Sequence, residues 1–583
     1  MMARGVSVIV SSCGHDLTPS LMRAVGSQIS PQGDRITVFL NRQQSTQLLQ
    51  DVASTGRVAV VFSEPHSHRT VQLKSRQARL REVTPDDVPA LQRYLRAMQG
   101  ELGRIGLAPD FAAAMLAHRF DDLSAIEFTP AQAFDQTPGP NAGQPLREGA
   151  IPAIMATCAA DGTPNVAYIS QVFYVDERHV ALSFQFFNKT RQNILAHPRA
   201  TVLLLHPVTA QFYRLHLRYL RTETGGPVFE SMKAQLAGIA SHSGMASVFV
   251  LRGADVYEVL AIERLDGQPL PTAAPRCSLL GALRRGSTRL AQATTLAAAL
   301  EATLQTLEQE MEIPHAMVLI LDPATQRLYT VASRGYATSG VGSEIALGDG
   351  VIGVAAREGT PVRIMHMTSA YLYSQAVRSG LEDRGLLDVP ACTEIPYPGL
   401  PEPHSQLAVP LRSAGRVLGV LFVESPQDLR FSFEDEDLLV TLGGQLAAAI
   451  DLMQEEPEAA AATGDGEATL TALPQGPALQ VRYYPANGSV FIDNAYLIKG
   501  VAGAILWKLL RDHQRSGRSE FSNRELRLDT SLGLPDVADN LEARLLLLSR
   551  RLQEQCPKLC IEKTGRGRFR LCVGGPVELQ AVA

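Results

Sequence analysis

The sequence predicts a multidomain α+β chain: two antiparallel β-barrel modules in series, an α/β sheet module, and a basic terminal module of helices closed by a hairpin. Three observations carry this. Between residues 151 and 198 a meander of apolar runs ends in a strand-to-helix corner rich in polar donors. A set of identities recurs at a constant spacing of 142 residues. Residues 480–575 hold 16 Lys and Arg against 10 Asp and Glu in a chain of net charge −5, which leaves −11 for the remainder. At 583 residues the chain is too long for one core, and roughly three to five domains are expected.

Bulk properties narrow the class. A hydrophobic content of 45% with 19% charged residues is that of a water-soluble globular protein. No apolar run reaches the ~18 residues that a membrane-spanning helix needs. The opening stretch MMARGVSVIVSS has no signal-peptide cleavage pattern and reads as a first strand. Seven scattered cysteines predict no disulfide framework, and the expected compartment is a reducing cytoplasm. The close pair Cys556-x3-Cys560 has no second pair or nearby histidine, so no metal is expected there.

The central meander opens with an apolar run from Ile151 to the turn Asp161-Gly162-Thr163-Pro164. A second run, Val166 to Tyr174, reaches the turn Asp176-Glu177, and a third spans Val180–Phe187. Runs joined by an Asp-Gly turn make a hairpin. The third run meets Asn188-Lys189-Thr190-Arg191, after which Asn193-Ile194 opens a short helix that Pro198 stops. Amide, hydroxyl and cationic donors beside a helix N-terminus, where backbone N–H groups lack partners, form an anion cradle. The alternative is a cofactor-free barrel with a solvated Lys-Thr-Arg turn.

The pattern Ser183-x5-Lys189-x3-Asn193-Ile194-x3-Pro198 behind a strand–Asp-Gly–strand hairpin resembles the pyridoxamine-phosphate-oxidase-like FMN-binding split barrel, over residues 148–263. The resemblance implies that the Lys189/Thr190 corner holds a flavin phosphate and that the flavin ring lies between two barrels at a dimer interface. The cofactor contacts it implies are Ser170, Ser183, Gln185, Lys189, Thr190 and Asn193. Haem- and deazaflavin-binding members belong to the same superfamily, so FMN, haem and no cofactor all stay open. His179, His197, His206 and His216 are read as neutral surface residues, with haem ligation the alternative.

Residues 1–135 read as a degenerate copy of this barrel. Strand-like runs lie at Val6–Val10, Ile36–Leu40, Val58–Phe62 and Thr70–Arg79. Setting Arg57–Pro85 on Arg199–Pro227 matches seven of 29 positions without a gap, among them Val60/Val202, Pro65/Pro207, Leu73/Leu215 and Arg76/Arg218. A tandem repeat of a fold that dimerises implies an intramolecular pseudo-dimer. The copies differ at the corner, where the first has Asn41-Arg42-Gln43-Gln44-Ser45, so one asymmetric site is expected to survive. His66, His68, Arg69 and Lys74 of the first copy could reach that site; the alternative for each is a solvated hairpin edge. A helical stretch at 85–125 and a Pro/Gly linker from Asp135 complete this half.

Residues 264–286, with the run DGQPLPTAAPRCSLLGALRRG, read as a second linker. Beyond it Leu296, Leu300, Leu304, Leu307 and Met311 form one helical stripe. Then come strand-like Ala316–Leu321 and Leu328–Ser333, the segment Gly350–Ala356, the runs QLAVPL and GRVLGVLFV, and a helix bearing Leu438, Leu439, Leu442, Leu446 and Ile450. This order resembles a GAF domain over 286–453, which implies a small-molecule pocket over the sheet or dimerisation through the flanking helices. The insert from Met365 to His404 (with Tyr371, Tyr373, Cys392 and Tyr397) would cover that pocket; Cys392 lacks the Cys-His pair of bilin attachment. Residues 454–477 are small, acidic and tether-like.

The terminal module, 478–575, begins with strands at Leu479–Tyr484 and Ser489–Ile492. Helices follow near 500–512, 522–529 and 537–554, then a hairpin around Gly565-Arg566-Gly567. The segments Asn540–Leu545 and Gly565–Phe569 resemble the winged-helix output domain of response regulators. The resemblance implies DNA contacts from Arg544, Arg550 and Arg551 on the third helix and from Arg566 and Arg568 on the wing. A winged helix used for protein contact, with solvated arginines, is the alternative.

Three readings result. The first is a cytoplasmic, homodimeric flavin-binding sensor and transcriptional regulator, with split-barrel and GAF input and winged-helix output. The second is an FMN-dependent oxidoreductase with regulatory domains, since few side chains are obligatory when a flavin carries the chemistry. The third is a haem-binding or cofactor-free scaffold. No catalytic triad, metal-ligand spacing or Walker-type loop is present, and whether the chain is an enzyme stays open at this point.

Overall fold

The computed structural model describes residues 5–65, 69–104, 106–136, 153–169, 172–184, 189–243, 251–271, 276–365, 395–455, 478–532, 541–565 and 567–582. Their contacts divide the chain into two units, residues 1–274 with 364–376, and 275–363 with 377–583. Among the described residues no helix is long and apolar enough to cross a membrane.

The second half of the first unit is an antiparallel sheet of seven strands. Its order is Pro164–Ile169, Ala153–Cys158, Arg199–Leu205, Phe212–Glu223, Gly253–Arg264, His179–Phe184 and Val172–Asp176. The run that the sequence reads as one strand, Val166 to Tyr174, is therefore two strands at opposite edges of the sheet. The Asp-Gly turn is needed as such. Gly162 sits at φ +74°, and a Cβ there would fall 1.8 Å from Arg57 Nη1.

The first half has a five-stranded sheet, Pro19–Arg23, Ser7–Cys13, Val58–Ser63, Thr70–Ser75, Gln132–Asp135, and a four-stranded one, Gly26–Ile29, Ile36–Asn41, Leu123–Phe128, Arg79–Glu82. The spacing read from the sequence reappears as strand register. Val60 lies opposite Leu73, and Val202 lies opposite Leu215. The first hairpin of each half repeats in the same way: Cys13 faces Pro19, and Cys158 faces Pro164.

Strand Pro19–Arg23 packs on Arg199–Leu205, and Pro164–Ile169 packs on Val58–Ser63. One apolar cluster runs through both contacts, joining Val8, Val10, Val60 and Phe62 to Ile154, Ala156, Val166, Leu203 and Phe212. Each Val, Ile, Leu or Phe among them contributes about 1.5–3 kcal/mol when fully buried. At the hairpin ends Cys13 and Cys158 form a disulfide, with Cα atoms 6.3 Å apart. The seven cysteines were expected to give no disulfide framework, and this one bridge departs from that expectation. The two thiols occupy corresponding places on hairpins 145 residues apart, so their pairing leaves no spacing pattern in the sequence.

In the second unit, helices Leu279–Ala291 and Leu296–Met311 are capped by Ser278 and Thr295, whose hydroxyls accept N–H bonds from Gly281 and Ala298. Helical structure thus begins inside the stretch read as a linker. Leu296–Met311 and Phe433–Glu455 pack on a six-stranded sheet, ordered Glu344–Ala346, Arg327–Arg334, His315–Asp322, Arg416–Ser425, Ser405–Ser413, Val362–Ile364, and Leu279–Ala291 packs on those two helices. The stripe Leu296, Leu300, Leu304, Leu307 and Met311 is buried as its spacing requires.

The terminal residues form a sheet of Ala495–Ile498, Ser489–Ile492, Leu479–Tyr484 and Val577–Ala581, the last pairing parallel. Helices Gly500–Ser516, Asn523–Leu528 and Leu541–Gln555 follow. A second sheet joins Glu520–Ser522 to the hairpin Leu559–Gly565/Arg568–Val573. Trp507 stacks on Tyr483 at 4.9 Å between ring centroids.

Gly419 gives the sheet of the second unit a sharp test. A Cβ there would lie 2.0 Å from the Leu319 carbonyl oxygen, on a strand fixed by its pairing with Ile320. Gly419→Ala is expected to lower the unfolding free energy by about 1–3 kcal/mol. At Gly444, in the helix Phe433–Glu455, an added methyl meets nothing within 4 Å. Gly444→Ala is expected to raise stability by about 0.5–1 kcal/mol. Denaturant unfolding followed by circular dichroism measures both.

Candidate functional site

Four polar side chains from both halves of the first unit converge at the predicted corner. Lys189 and Thr190 begin the helix Lys189–Ala196. Asn165 follows the Asp-Gly turn on Pro164–Ile169, and Lys74 comes from Thr70–Ser75. Lys74 Nζ donates to Asn165 Oδ1 at 3.4 Å, and Asn165 Nδ2 donates to Thr190 Oγ1 at 3.1 Å. The amide thus links a cation of one half to the helix start of the other.

Lys74 is only 6% exposed, and among the described residues no carboxylate pairs with it. Burial pulls its pKa down from 10.5 to about 8, and the positive charge of Lys189 adds to the shift. This buried cation thus lies beside a second cation, bonded to an amide oxygen and 5.4 Å from the centroid of the Phe134 ring, with Asp161 offsetting part of the shift. The adjoining cavity, about 440 Å³, is lined by Arg57, Lys74, Arg76, Gln132, Thr163 and Pro164. Arg76 Nη2 donates to Asp161 Oδ2 at 2.6 Å and to Thr163 Oγ1 at 3.1 Å, which ties the cavity rim to the Asp-Gly turn. Gln72 Nε2 donates to the Val166 carbonyl at 2.7 Å and fixes one strand on the other.

The remaining expected contacts divide. Asn193 is buried, and its Nδ2 donates to Thr157 Oγ1 at 3.0 Å, so it clamps the helix to the sheet. Ser183 is half-buried, opposite Ala254. Arg69 lies exposed on its turn, where its carbonyl accepts the Glu64 N–H at 3.0 Å. Ser170, Gln185, His66 and His68 lie outside the described residues. Sequence reasoning missed Asn165, Arg57 and Arg76 as site residues. Asn165 stands beside a turn, where asparagine is common for local reasons. Among the barrel histidines, His216 is half-buried 3.8 Å from Glu263, and burial lowers its pKa.

In the terminal module the expected DNA-facing arginines of the third helix are engaged by protein. Arg544 is 6% exposed and pairs with Asp322 at 3.2 Å. Arg550 Nη1 donates to the Val331 carbonyl at 2.5 Å. Arg551, 7% exposed, donates to the Leu497 carbonyl at 3.0 Å and pairs with Glu554. The expectation from the sequence is that all three face DNA; in this arrangement each is held by protein groups instead. Leu545, Leu547 and Leu548 share a core with Val331, and burying that helix face buries the arginines beside it. Arg568 stays exposed on the hairpin, and Arg566 lies outside the described residues. Under the segment 395–400, Glu424 accepts from the Leu400 N–H at 2.7 Å and from Gln406 at 3.0 Å, and burial raises its pKa. Most of the expected pocket insert, 366–394 with Cys392, lies outside the described residues.

Two family models match the sequence, pyridoxamine 5'-phosphate oxidase over residues 142–259 and the GAF domain over 293–451. The chain carries a domain of each family. The GAF domain from an Acinetobacter phosphoenolpyruvate-protein phosphotransferase is 24% identical, with 31% of this chain and 96% of that one covered and a TM-score of 0.25. A free methionine-R-sulfoxide reductase from Neisseria meningitidis is 21% identical, with coverage of 31% and 96% and a TM-score of 0.23. An FMN-binding protein from Syntrophomonas wolfei subsp. wolfei is 15% identical, with coverage of 21% and 80% and a TM-score of 0.17. Among the curated proteins there is no match.

The lowered pKa makes Lys74 a reporter. Because the folded pKa lies below the unfolded one, the folded state holds fewer protons between about 8 and 10.5. This group's contribution to stability therefore rises with pH across that window. Lys189→Gln removes the like charge and is expected to move the Lys74 pKa up from about 8, still short of 10.5 because burial remains. Titration of the Lys74 side-chain resonances by NMR measures the shift, and an unmoved Lys74 would show that the two cations do not share a site.

Proposed function

We propose that this protein is a flavin-binding sensor in which the first unit is a tandem split-barrel pseudo-dimer holding one FMN by its phosphate. In the second unit the GAF domain governs a winged-helix DNA-binding output. The observation that carries the reading is the buried Lys74, without an ion pair among the described residues, joined through Asn165 to Thr190 beside Lys189. Lys189, Lys74, Thr190 and Asn165 would hold the phosphate; flavin, when bound, supplies redox chemistry. The chain's own part is to fix the anion between two halves and exclude water from Lys74.

The corresponding corner of the other half supports one site rather than two. At the spacing of 142, which sets the counterpart corner just past Asn41–Ser45, Lys74 matches His216, Lys189 matches Gln47, and Asn193 matches Asp51. Asp51 is 4% exposed and accepts from Ser20 Oγ at 2.5 Å and Gln47 Nε2 at 2.8 Å, and burial raises its pKa. A buried carboxyl group that is already satisfied leaves no place for a phosphate.

The output reading rests on the three helices and hairpin of the terminal module and its six-charge basic excess. In the arrangement seen here the third helix is docked on the GAF sheet through Arg544–Asp322, Arg550–Val331 and Ser339–Glu554, with Lys499–Glu344 beside it. Docking covers the arginines that DNA would use, so ligand binding to the GAF domain would act by shifting the docked population.

One FMN per chain is expected by absorption and equilibrium dialysis. Lys74→Ala and Lys189→Ala are each expected to weaken it about 10–100-fold. Affinity should fall as pH rises above about 8, because Lys74 then loses its proton, and Lys74→Ala should flatten that dependence. Two FMN per chain, or unchanged affinity in both variants, would sink the phosphate assignment. For the output, Asp322→Asn is expected to raise affinity for duplex DNA about tenfold, with a steep inverse dependence on salt. Equal, negligible binding by both forms would remove DNA from the reading.

A further inference from the structure

The terminal hairpin brings together three ligand-type side chains that no part of the reading above uses. Cys560 and Cys572 are direct cross-strand partners in the pairing of Leu559–Gly565 with Arg568–Val573. Glu562 lies two residues beyond Cys560, and alternate residues of a strand share a face. Their ligand atoms all fall within 4.8 Å of one another, and Cys560 Sγ is 3.9 Å from a Glu562 carboxylate oxygen. The pair suggested by sequence spacing, Cys556 and Cys560, is not the one that meets, because Cys556 belongs to the hydrophobic core.

We propose that Cys560, Glu562 and Cys572 form a binding site for a thiophilic divalent cation of the zinc type, with a fourth position open to solvent or an exogenous ligand. Two sulfurs and one carboxylate oxygen suit a borderline-soft ion and not calcium or magnesium, which take oxygen ligands. Tetrahedral zinc holds sulfur at about 2.3 Å and carboxylate oxygen at about 2.0–2.2 Å, so its ligands sit about 3.4–3.8 Å apart. The Cys560–Glu562 spacing of 3.9 Å is close to that, and the outer bound of 4.8 Å lies about 1–1.4 Å beyond it, a gap that side-chain rotation can close. The strands are well held. Leu559 and Leu571 are buried, the Gly574 N–H donates to the Lys558 carbonyl at 2.7 Å, and the Leu571 N–H donates to the Ser519 carbonyl at 2.8 Å. Glu562 and the half-buried thiols face solvent, which supplies an entry path. Arg570, the cross-strand partner of Glu562, is engaged by Glu520 at 2.6 Å. A bare cross-strand disulfide would also suit opposed cysteines but gives no part to the carboxylate beside them.

The test uses the full chain, reduced and freed of metal, and Zn2+ as the probe in competition with a chromophoric chelator. One equivalent is expected at this hairpin. Cys560→Ser and Cys572→Ser should each weaken binding at least about 100-fold, and Glu562→Gln about tenfold, the range that even outer-shell partners command. Co2+ should give a thiolate-to-metal absorption band that both serine variants lose. Should a variant misfold, alkylation mapping of the unmodified chain decides: Zn2+ should protect Cys560 and Cys572 and leave Cys277 reactive. Absence of Zn2+ uptake, protection confined to other cysteines, or full affinity in a folded Cys560→Ser/Cys572→Ser variant would each overturn the proposal. So would a Cys560–Cys572 disulfide in the isolated protein whose reduction creates no Zn2+ site.

Discussion

The first unit depends on a seam of apolar side chains that neither half could bury alone. Val60 and Phe62 from one half need Val166 and Leu203 from the other, and the hairpin Ala153–Cys158/Pro164–Ile169 must lie across Val58–Ser63 to supply them. The polar site inherits its geometry from that seam. Lys74 and Asn165 meet because Thr70–Ser75 pairs with Val58–Ser63 in a register that puts Leu73 opposite Val60. A slip of one residue would send Lys74 to the other face and turn Leu73 away from the core. The register is therefore enforced by apolar burial, and a cation that resists burial is carried along. The lowered pKa of Lys74 records that cost.

The second unit resolves a similar conflict differently. Its terminal helix has a leucine face that belongs in the common core, and Arg544, Arg550 and Arg551 flank its run of leucines. Once Leu547 and Leu548 are buried, Arg544 and Arg551 lose water and must find partners in protein. Asp322 and the Leu497 carbonyl provide them. Removing one partner from a buried ion pair costs about 3–5 kcal/mol, whereas replacing the whole pair by apolar groups can cost nothing. The pairing thus adds little to net stability but strongly penalises leaving either partner alone. Such a contact is suited to choosing between two arrangements of the same helix. Burial also pulls the Arg550 pKa down, so this guanidinium too is held at some cost.

Much of this was legible in the chain because it is periodic or local. The leucine stripe from Leu296 to Met311, the Asp-Gly turn at Gly162 and the corner at Lys189 each follow from neighbours within a few residues. The spacing of 142 reappears as strand register, in the pairings Val60–Leu73 and Val202–Leu215. What the sequence hid is long-range and unrepeated. Cys13 finds Cys158, Lys74 finds Asn165, and Cys560 finds Cys572 across a hairpin. In each case the spacing along the chain carries no signature, since a turn of unknown length or a whole module intervenes. The arginines of the last helix hid their partners for another reason. Their identity fits DNA and a protein carboxylate equally well, and only the placement of the leucines between them decides which is met.

The asymmetry of the two corners is the remaining link between fold and proposed function. A shared seam constrains both halves alike, so the apolar positions of one cannot drift without the other. The corners are freer, because each sits at the rim of the seam and is read by a ligand or by nothing. One corner carries Lys74 and Lys189 with amide and hydroxyl partners; the matching residues of the other are His216 and Gln47 beside Asp51, closed by Ser20. An exchange of Asn193 for its counterpart Asp51 alone replaces a neutral clamp with a carboxyl group. In a buried place that change disfavours an anion, since a second negative charge there would add to the cost of keeping the carboxyl group ionised. On the proposed reading, duplication within one chain gave each corner its own mutable residues, which a dimer of identical chains cannot do. The second corner could then become part of the structure while the first kept a ligand.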